Sequence, residues 1–484
     1  MSVFKKNLFY NTLLSVSQVL FPLITFPYSS RILGPEGMGA VNFADNFTTY
    51  FLLVAALGIP LYGVREIAKV KDQPELLSKV FSELLFIHLA TSLIAVLILF
   101  GLSYSIGRLH SDFALYQIGM SVVLGSVFIA EWFFQGTEQF KYIAIRSVAI
   151  RLFTIILLFL LVHTPEDKVL FYGLNLLAVI LAAVANMYAI RKMVKFTFRD
   201  LSFKRHFRPL LIIFSNSVVT TIYLVFDSII LGFITNDQHV GYYSASMRIS
   251  KLSLAIIGAV SAVLLPRLTM AFQNKNFDEA GMLLDKSINF VIFLSIPIAL
   301  GTFCLSREII LLFAGNQYLP AVLSLQVLCF IVIFVGIAQV FSHQILLPMH
   351  MEKMILYASI IGVLVSLLLN FTLIPLFKHV GAAISSLATE AVVTLVLFLF
   401  VRKAVKFAFP FLALMQSLLT CSLFFMIKYM VLHMTNHAVA IVLLTASLSA
   451  LSYLLCQVFV WKNKHVLDIL SGIRIFSFLG KGRS

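Results

Sequence analysis

The sequence predicts an all-α polytopic membrane protein with about fourteen spans, and three observations carry that prediction. Of the 484 residues, 60% are hydrophobic and only 12% are charged, whereas a soluble chain carries about 25% charged residues. The mean hydropathy is +0.99. The apolar residues fall into long runs bounded by charges, glycine and proline, each near the roughly 20 residues a helix needs to cross the hydrocarbon layer. A soluble enzyme, a disordered chain and a nucleic-acid-binding domain are excluded, despite a pI of 9.6. The net charge of +15 is read first as topology, because basic residues are retained on the cytoplasmic side.

Taken in order, the runs centre on Leu20, Leu53, Ser92, Leu124, Phe153, Val179, Thr221, Ala255, Leu294, Val332, Val363, Ala391, Cys421 and Ser449. Lys5 and Lys6 precede the first run and no small-residue cleavage site follows it, so it reads as a span and not as a cleaved signal. Most connections are short. The longest polar one runs from Arg191 to Arg208 and carries Arg191, Lys192, Lys195, Arg199, Lys204, Arg205 and Arg208. With a cytoplasmic N-terminus, the inner segments hold 26 Lys and Arg, against Arg31, Arg108, Lys168, Arg307, Lys378 and Lys428 outside. That bias places both termini and the 191–208 segment in the cytoplasm.

An internal repeat divides the chain. Ser30-Arg31-Ile32-Leu33-Gly34 ends the first span, and Gly39-Ala40-Val41-Asn42-Phe43-Ala44 opens the second. About 200 residues later, Ser228-Ile229-Ile230-Leu231-Gly232 ends the seventh span and Gly241-Tyr242-Tyr243-Ser244-Ala245-Ser246 opens the eighth. Glu138 and Glu352 form a fainter echo at the turns after the fourth and tenth spans. An even number of helices per repeat makes the halves parallel. The expected organisation is an N-lobe over 1–195, a basic linker over 196–208, a C-lobe over 209–405, and two further helices with a cytoplasmic tail over 406–484. The linker also suits anionic lipid headgroups.

Ionisable residues inside spans need a reason, since each costs at least about 2.5–3.5 kcal/mol near the bilayer centre. Counting depth along the helices matches Glu131 with Arg146 and Asp227 with Arg248, each readable as an ion pair. Asp45, shallow in the second span, reads as a satisfied rim residue. Arg151, Lys251 and Glu390 lie near the midplane without an obvious local partner. Arg248 and Lys251 are three apart and share a helix face. Two readings stand: a buried pair such as Lys251 with Glu390, or a hydrated cavity between the lobes lined by Arg151, Arg248 and Lys251. The second suits an anionic substrate, because guanidinium and ammonium groups bind phosphate well.

Other chemistry is absent from the sequence. Cys304, Cys329, Cys421 and Cys456 lie in apolar segments with no CxxC spacing, and no HExxH occurs. His343 and His350 have no carboxylate to complete a metal set. Gly34-Pro35-Glu36-Gly37-Met38-Gly39 lacks the Gly-Lys-Ser/Thr of a nucleotide loop and reads as a tight turn. No metal or cofactor is expected, and a coupling ion, H⁺ or Na⁺, is left open.

The run from Pro27 to Gly39 resembles the first-loop signature of Wzx-type polysaccharide flippases of the multidrug/oligosaccharidyl-lipid/polysaccharide exporter superfamily. So do Glu131-Trp132-Phe133-Phe134-Gln135-Gly136 with Lys141, Tyr142, Ile143 and Arg146, the run Asp227 to Gly232, Gly241 to Ser244, and Gly381-Ala382-Ala383 with Glu390. The resemblance covers residues 1 to about 405. It implies a V-shaped fold of two six-helix lobes plus two helices, in the bacterial inner membrane. It implies transfer of an undecaprenyl-diphosphate-linked oligosaccharide, such as an O-antigen unit, to the periplasmic leaflet by alternating access. The polymerase and chain-length machinery of the same pathway are candidate partners. Lipid II flippases typically carry arginines within the first helix; here that helix has only Arg31, at its outer end, which argues against lipid II as substrate. Two other readings are a cation-coupled drug exporter of the same superfamily, which would have an acidic cavity, and a membrane glycan polymerase or ligase, which would need a long outer loop.

Overall fold

A computed structural model describes residues 3–463 except 199, 275 and 405–408. Among the described residues the regular structure is helical, and ten helices are long and apolar enough to cross a membrane. Two of the ten, Phe9–Val70 and Glu352–Lys403, are 62 and 52 residues long. At about 1.5 Å per residue each exceeds twice a hydrocarbon layer of about 30 Å. The expected centres at Thr221 and Ala255 lie in two further helices, Lys204–Ile234 and Asp237–Gln273. The chain is a multi-pass all-α membrane protein. The tail after residue 463 lies outside the described residues.

The chain divides into two compact units, one ending at Gly241 and the other beginning at Tyr242. The first is built from α1 (Val3–Ala56), α2 (Ile59–Val70), α3 (Pro74–Ser105), α4 (Phe113–Ile129), α5 (Glu131–Gly136), α6 (Phe140–Leu161), α7 (Lys168–Ile190) and α8 (Lys204–Ile234). The turn expected at 34–39 is instead a one-residue break in α1: Gly34 has φ 67° and ψ 178°. Pro35 clashes with the preceding turn and donates no hydrogen bond, and Gly34 takes the positive φ without steric cost. A second break falls at Ala130, with φ 37°, which turns α4 into the short α5.

The aromatic signature on α5 fills the core near the α2–α3 junction. Trp132, Phe133 and Phe134 are buried with Ile59, Ile67, Phe81 and Leu84, and the Phe81 ring lies 5.2 Å from Phe133 and 5.6 Å from Trp132. This part of the family-like motif therefore serves packing.

At the opposite end of the spans the repeat glycines meet. A Cβ on Gly39 would overlap the Asp237 carbonyl, and one on Gly241 would overlap the Pro35 carbonyl. The correspondence is reciprocal, with 35 and 237 separated by the same 202 positions as 39 and 241. Arg108 closes this end. It ion-pairs with Asp237, its Nε donates to the Gly232 carbonyl at 3.1 Å, and its guanidinium lies 5.1 Å from the Phe43 ring centre.

The second unit takes most of α9 (Asp237–Gln273), then α10 (Phe277–Cys304), α11 (Ser306–Phe313), α12 (Ala321–Leu328), α13 (Ile331–Gln339), α14 (Glu352–Ala404), α15 (Phe411–Cys421), α16 (Leu423–Met434) and α17 (Ala438–Leu455). Lys378, with φ 54°, breaks the long α14. Lys428 on α16 holds Glu308 on α11 at 2.9 Å and donates to the Cys304 carbonyl at 2.7 Å. The Tyr453 hydroxyl on α17 donates to the Phe293 carbonyl on α10 at 3.0 Å.

Candidate functional site

Two arginines on α6 define the first unit's polar interior. Arg146 is buried and answered from several sides: Nη1 donates to Asn186 Oδ1 at 2.6 Å, and Nη2 donates to Glu131 and to Ser147 Oγ at 2.9 Å. Asn186 in turn donates its amide to the Ile129 carbonyl. The break at Ala130 frees that carbonyl and puts Glu131 in the first turn of α5, so the kink builds the pocket that Arg146 fills.

Arg151 is the twelfth of the 22 residues of α6. Five residues along a helix turn the side chain by about 140°, so Arg151 faces α1 instead of α4 and α7. There its Nη1 donates to Ser17 Oγ at 3.0 Å, and its guanidinium lies 5.9 Å from the Phe21 ring centre. The Ser17 hydroxyl spends its own proton on the Leu14 carbonyl at 2.6 Å. A guanidinium has five N–H donors. Among the described residues, Ser17 accepts one of them and no carboxylate lies within ion-pair distance. Arg151 is half-buried, so this charge sits mid-span with a neutral partner.

The remaining expected residues lie as follows. Arg31 is exposed and donates to the Pro27 carbonyl at 2.7 Å, one turn back. Asp45 is exposed and accepts from the Tyr172 hydroxyl at 3.3 Å. Asp227, in α8, is half-buried and within electrostatic range of Tyr50. In the second unit, Arg248 is half-buried and within range of Tyr318, Lys251 is exposed, and Glu390 is half-buried.

The second unit also holds an apolar cavity of about 450 Å³ between α10, α16 and α17, lined by residues including Phe293, Pro297, Phe424, Val442, Ala446 and Leu454. Its chemistry suits a hydrocarbon chain.

Sequence reasoning passed over Ser17 and Asn186, because a neutral side chain leaves no charge signal. It also passed over Glu83, a fully buried carboxylate on α3 that takes Arg205 and His206 (Nε2 at 2.9 Å) and the Ser202 amide at 2.6 Å. Its position inside an apolar run was a usable signal. Tyr62 completes that cluster, 2.8 Å from His206 Nδ1.

The profile of the family described as "Polysaccharide biosynthesis protein" matches residues 4–272, and that of MatE matches residues 212–372. The chain is similar to an Escherichia coli (strain K12) protein named "Putative O-antigen transporter", with 25% identity over 401 residues, covering 82% of this chain and 96% of that one. In fold it is similar to "Lipid II flippase MurJ, inward closed conformation", with a TM-score of 0.73 at 17% identity, covering 94% of this chain and 99% of that one. It is also similar in fold to an inward-facing multidrug resistance MATE family transporter of the MOP superfamily, with a TM-score of 0.66 at 16% identity, covering 80% of this chain and 94% of that one.

Proposed function

The chain belongs to the polysaccharide biosynthesis protein family, and from that premise we propose that it is a flippase that moves a lipid-linked oligosaccharide across the bacterial inner membrane. It is a transporter, not an enzyme. The lipid carrier is undecaprenyl diphosphate, and the N-terminus, the 191–208 segment and the C-terminus face the cytoplasm. The observation that carries the reading is Arg151: a cation at the middle of a membrane-length helix, held by one serine hydroxyl. A diphosphate supplies the anionic acceptors its other N–H groups lack, in the bidentate geometry guanidinium favours. Within the second unit, Arg248 and Lys251 are the further cations we assign to the anionic substrate. The glycan occupies water, and the polyprenyl chain has the apolar cavity beside α17 available to it. Alternating access then needs only that the cations be exposed to one leaflet at a time.

The test is complementation of surface polysaccharide export, normalised to membrane protein level. Arg151→Ala, Arg248→Ala and Lys251→Ala are each expected to lower export at least about tenfold, the loss of one charge-assisted contact. Wild-type export from all three contradicts the cationic site. Full rescue of Lys251→Glu by Glu390→Lys would assign those two residues to a buried pair instead.

A further inference from the structure

The segment between α7 and α8 is docked along the first turns of α3. The Lys195 amide donates to Ser78 Oγ at 3.1 Å and the Thr197 amide to Ser82 Oγ at 3.1 Å. One turn of helix separates those serines, which matches two residues of extended chain. Ser202, Arg205 and His206 then close on Glu83.

Docking leaves a cavity of about 590 Å³ between this segment and the start of α3. Four cations line it: Lys79 from α3, and Arg191, Lys192 and Lys195 from the segment, against the carboxylates of Glu75 and Asp200. None of these four cations forms an ion pair among the described residues. Arg191 and Lys192 instead pack on the Tyr188 ring at 4.5 and 4.2 Å. Beside the cavity the segment turns two aromatic rings outward. Phe196 is 45% and Phe198 77% exposed, and each is braced from behind by a ring of α3, Phe81 at 5.9 Å and Phe86 at 5.2 Å. The cavity lies where the membrane-length helices α3 and α7 meet the segment, and the ends of membrane-length helices are where headgroups adjoin a bilayer's hydrocarbon core.

We propose that this cavity binds the phosphate of an anionic phospholipid, with Lys79, Arg191, Lys192 and Lys195 around the phosphodiester and Phe196 and Phe198 among the adjoining acyl chains. Unpaired cations beside outward aromatic rings match a ligand that is charged at one end and hydrocarbon at the other. A free phosphate would use the cations and leave the rings idle. The site is separate from Arg151 and does not depend on which substrate is transported.

The experiment uses the purified full chain in mixed micelles with equal phosphatidylglycerol and phosphatidylcholine, with bound lipid read by native mass spectrometry. Wild type is expected to retain phosphatidylglycerol selectively. Lys79→Gln/Arg191→Gln/Lys192→Gln/Lys195→Gln should lose that preference by roughly tenfold or more, the scale of removing several headgroup-level cations. Arg267→Gln/Lys286→Gln/Arg402→Gln/Lys403→Gln, which removes the same charge elsewhere, should keep it. If the fourfold variant does not fold, Lys192→Gln/Lys195→Gln, two exposed residues, must still lower the preference. Phe196→Ser/Phe198→Ser should weaken lipid retention with all cations in place. Equal selectivity in wild type and the lysine variants overturns the proposal. Displacement of the lipid by millimolar inorganic phosphate, or no effect of the phenylalanine changes, makes the site one for soluble anions and overturns it as well.

Discussion

Arg146 and Arg151 lie on one helix, five residues apart, and meet opposite surroundings. Arg146 points toward α4, α5 and α7, where Glu131 and Asn186 accept its hydrogen bonds, joined by Ser147 of its own helix. Arg151 points toward α1, where one hydroxyl and a ring receive it. The comparison teaches how to read intramembrane charge. A buried cation ringed by protein acceptors has its charge met within the fold, and removing one partner leaves an uncompensated charge. A mid-span cation with one neutral acceptor requires something from outside the chain, either water or an anion. Depth counting along the sequence already pairs Arg146 with Glu131 and leaves Arg151 without a local partner; the geometry adds Asn186 and Ser147 to the first and Ser17 to the second.

The largest expected effect separates them in function. Arg151→Ala should reduce polysaccharide export at least about tenfold at unchanged protein level, and Arg151→Lys should retain part of it, because ammonium keeps the charge but not the fork. Complementation with parallel membrane immunoblots measures both. A fall in export that only tracks a fall in protein level would erase the distinction between the two arginines.

Next in size is a stability effect at the other arginine. Glu131→Ala leaves Arg146 without its carboxylate, and stranding one partner of a buried pair costs about 3–5 kcal/mol. The partly exposed Glu131 (38% of its side chain) puts the expectation at the lower end. Thermal unfolding in detergent should show it, while export per folded molecule stays near wild type.

Asn186→Leu probes the neutral half of that pocket. It removes the Arg146 acceptor and the bond to the Ile129 carbonyl, for about 1–3 kcal/mol, again with transport per molecule retained. The smallest effect belongs to Ser17→Ala. One hydroxyl bond to a guanidinium contributes about 1.5–3 kcal/mol when buried, but water or substrate can replace it at Arg151. Stability should move by less than about 1 kcal/mol and export by a few-fold at most, in a unfolding scan and a dose-controlled complementation.

Much of this architecture was legible before any coordinates, and the reasons are physical. Apolar runs near 20 residues locate spans because hydrocarbon admits only backbones that satisfy themselves. The Ile-Leu-Gly and Gly repeats at an offset near 200 were visible because close approach at Gly39 and Gly241 tolerates no side chain. Glu131 and Arg146 could be matched by depth, since charge in a span is rare enough to stand out. What stayed hidden has no such contrast. Asn186 is one polar residue among many, and only the crossing of α4, α6 and α7 makes it a partner. Ser78 and Ser82 look like ordinary helix serines until the 195–197 backbone reaches them. The break at Gly34 differs from the expected turn because the helix resumes at once after Pro35, and no local signal sets how soon a helix resumes.

The central claim is that Arg151 holds the anionic part of the transported lipid while Arg146 holds the fold. The most direct measurement is the affinity of the purified full chain for a short polyprenyl diphosphate, determined for wild type, Arg151→Ala and Glu131→Gln and corrected for folded fraction. The account predicts that Arg151→Ala weakens binding about tenfold or more, the effect of one charge-assisted contact, and that Glu131→Gln changes it less than about twofold. Equal affinity in wild type and Arg151→Ala, or a larger loss in Glu131→Gln, would contradict it.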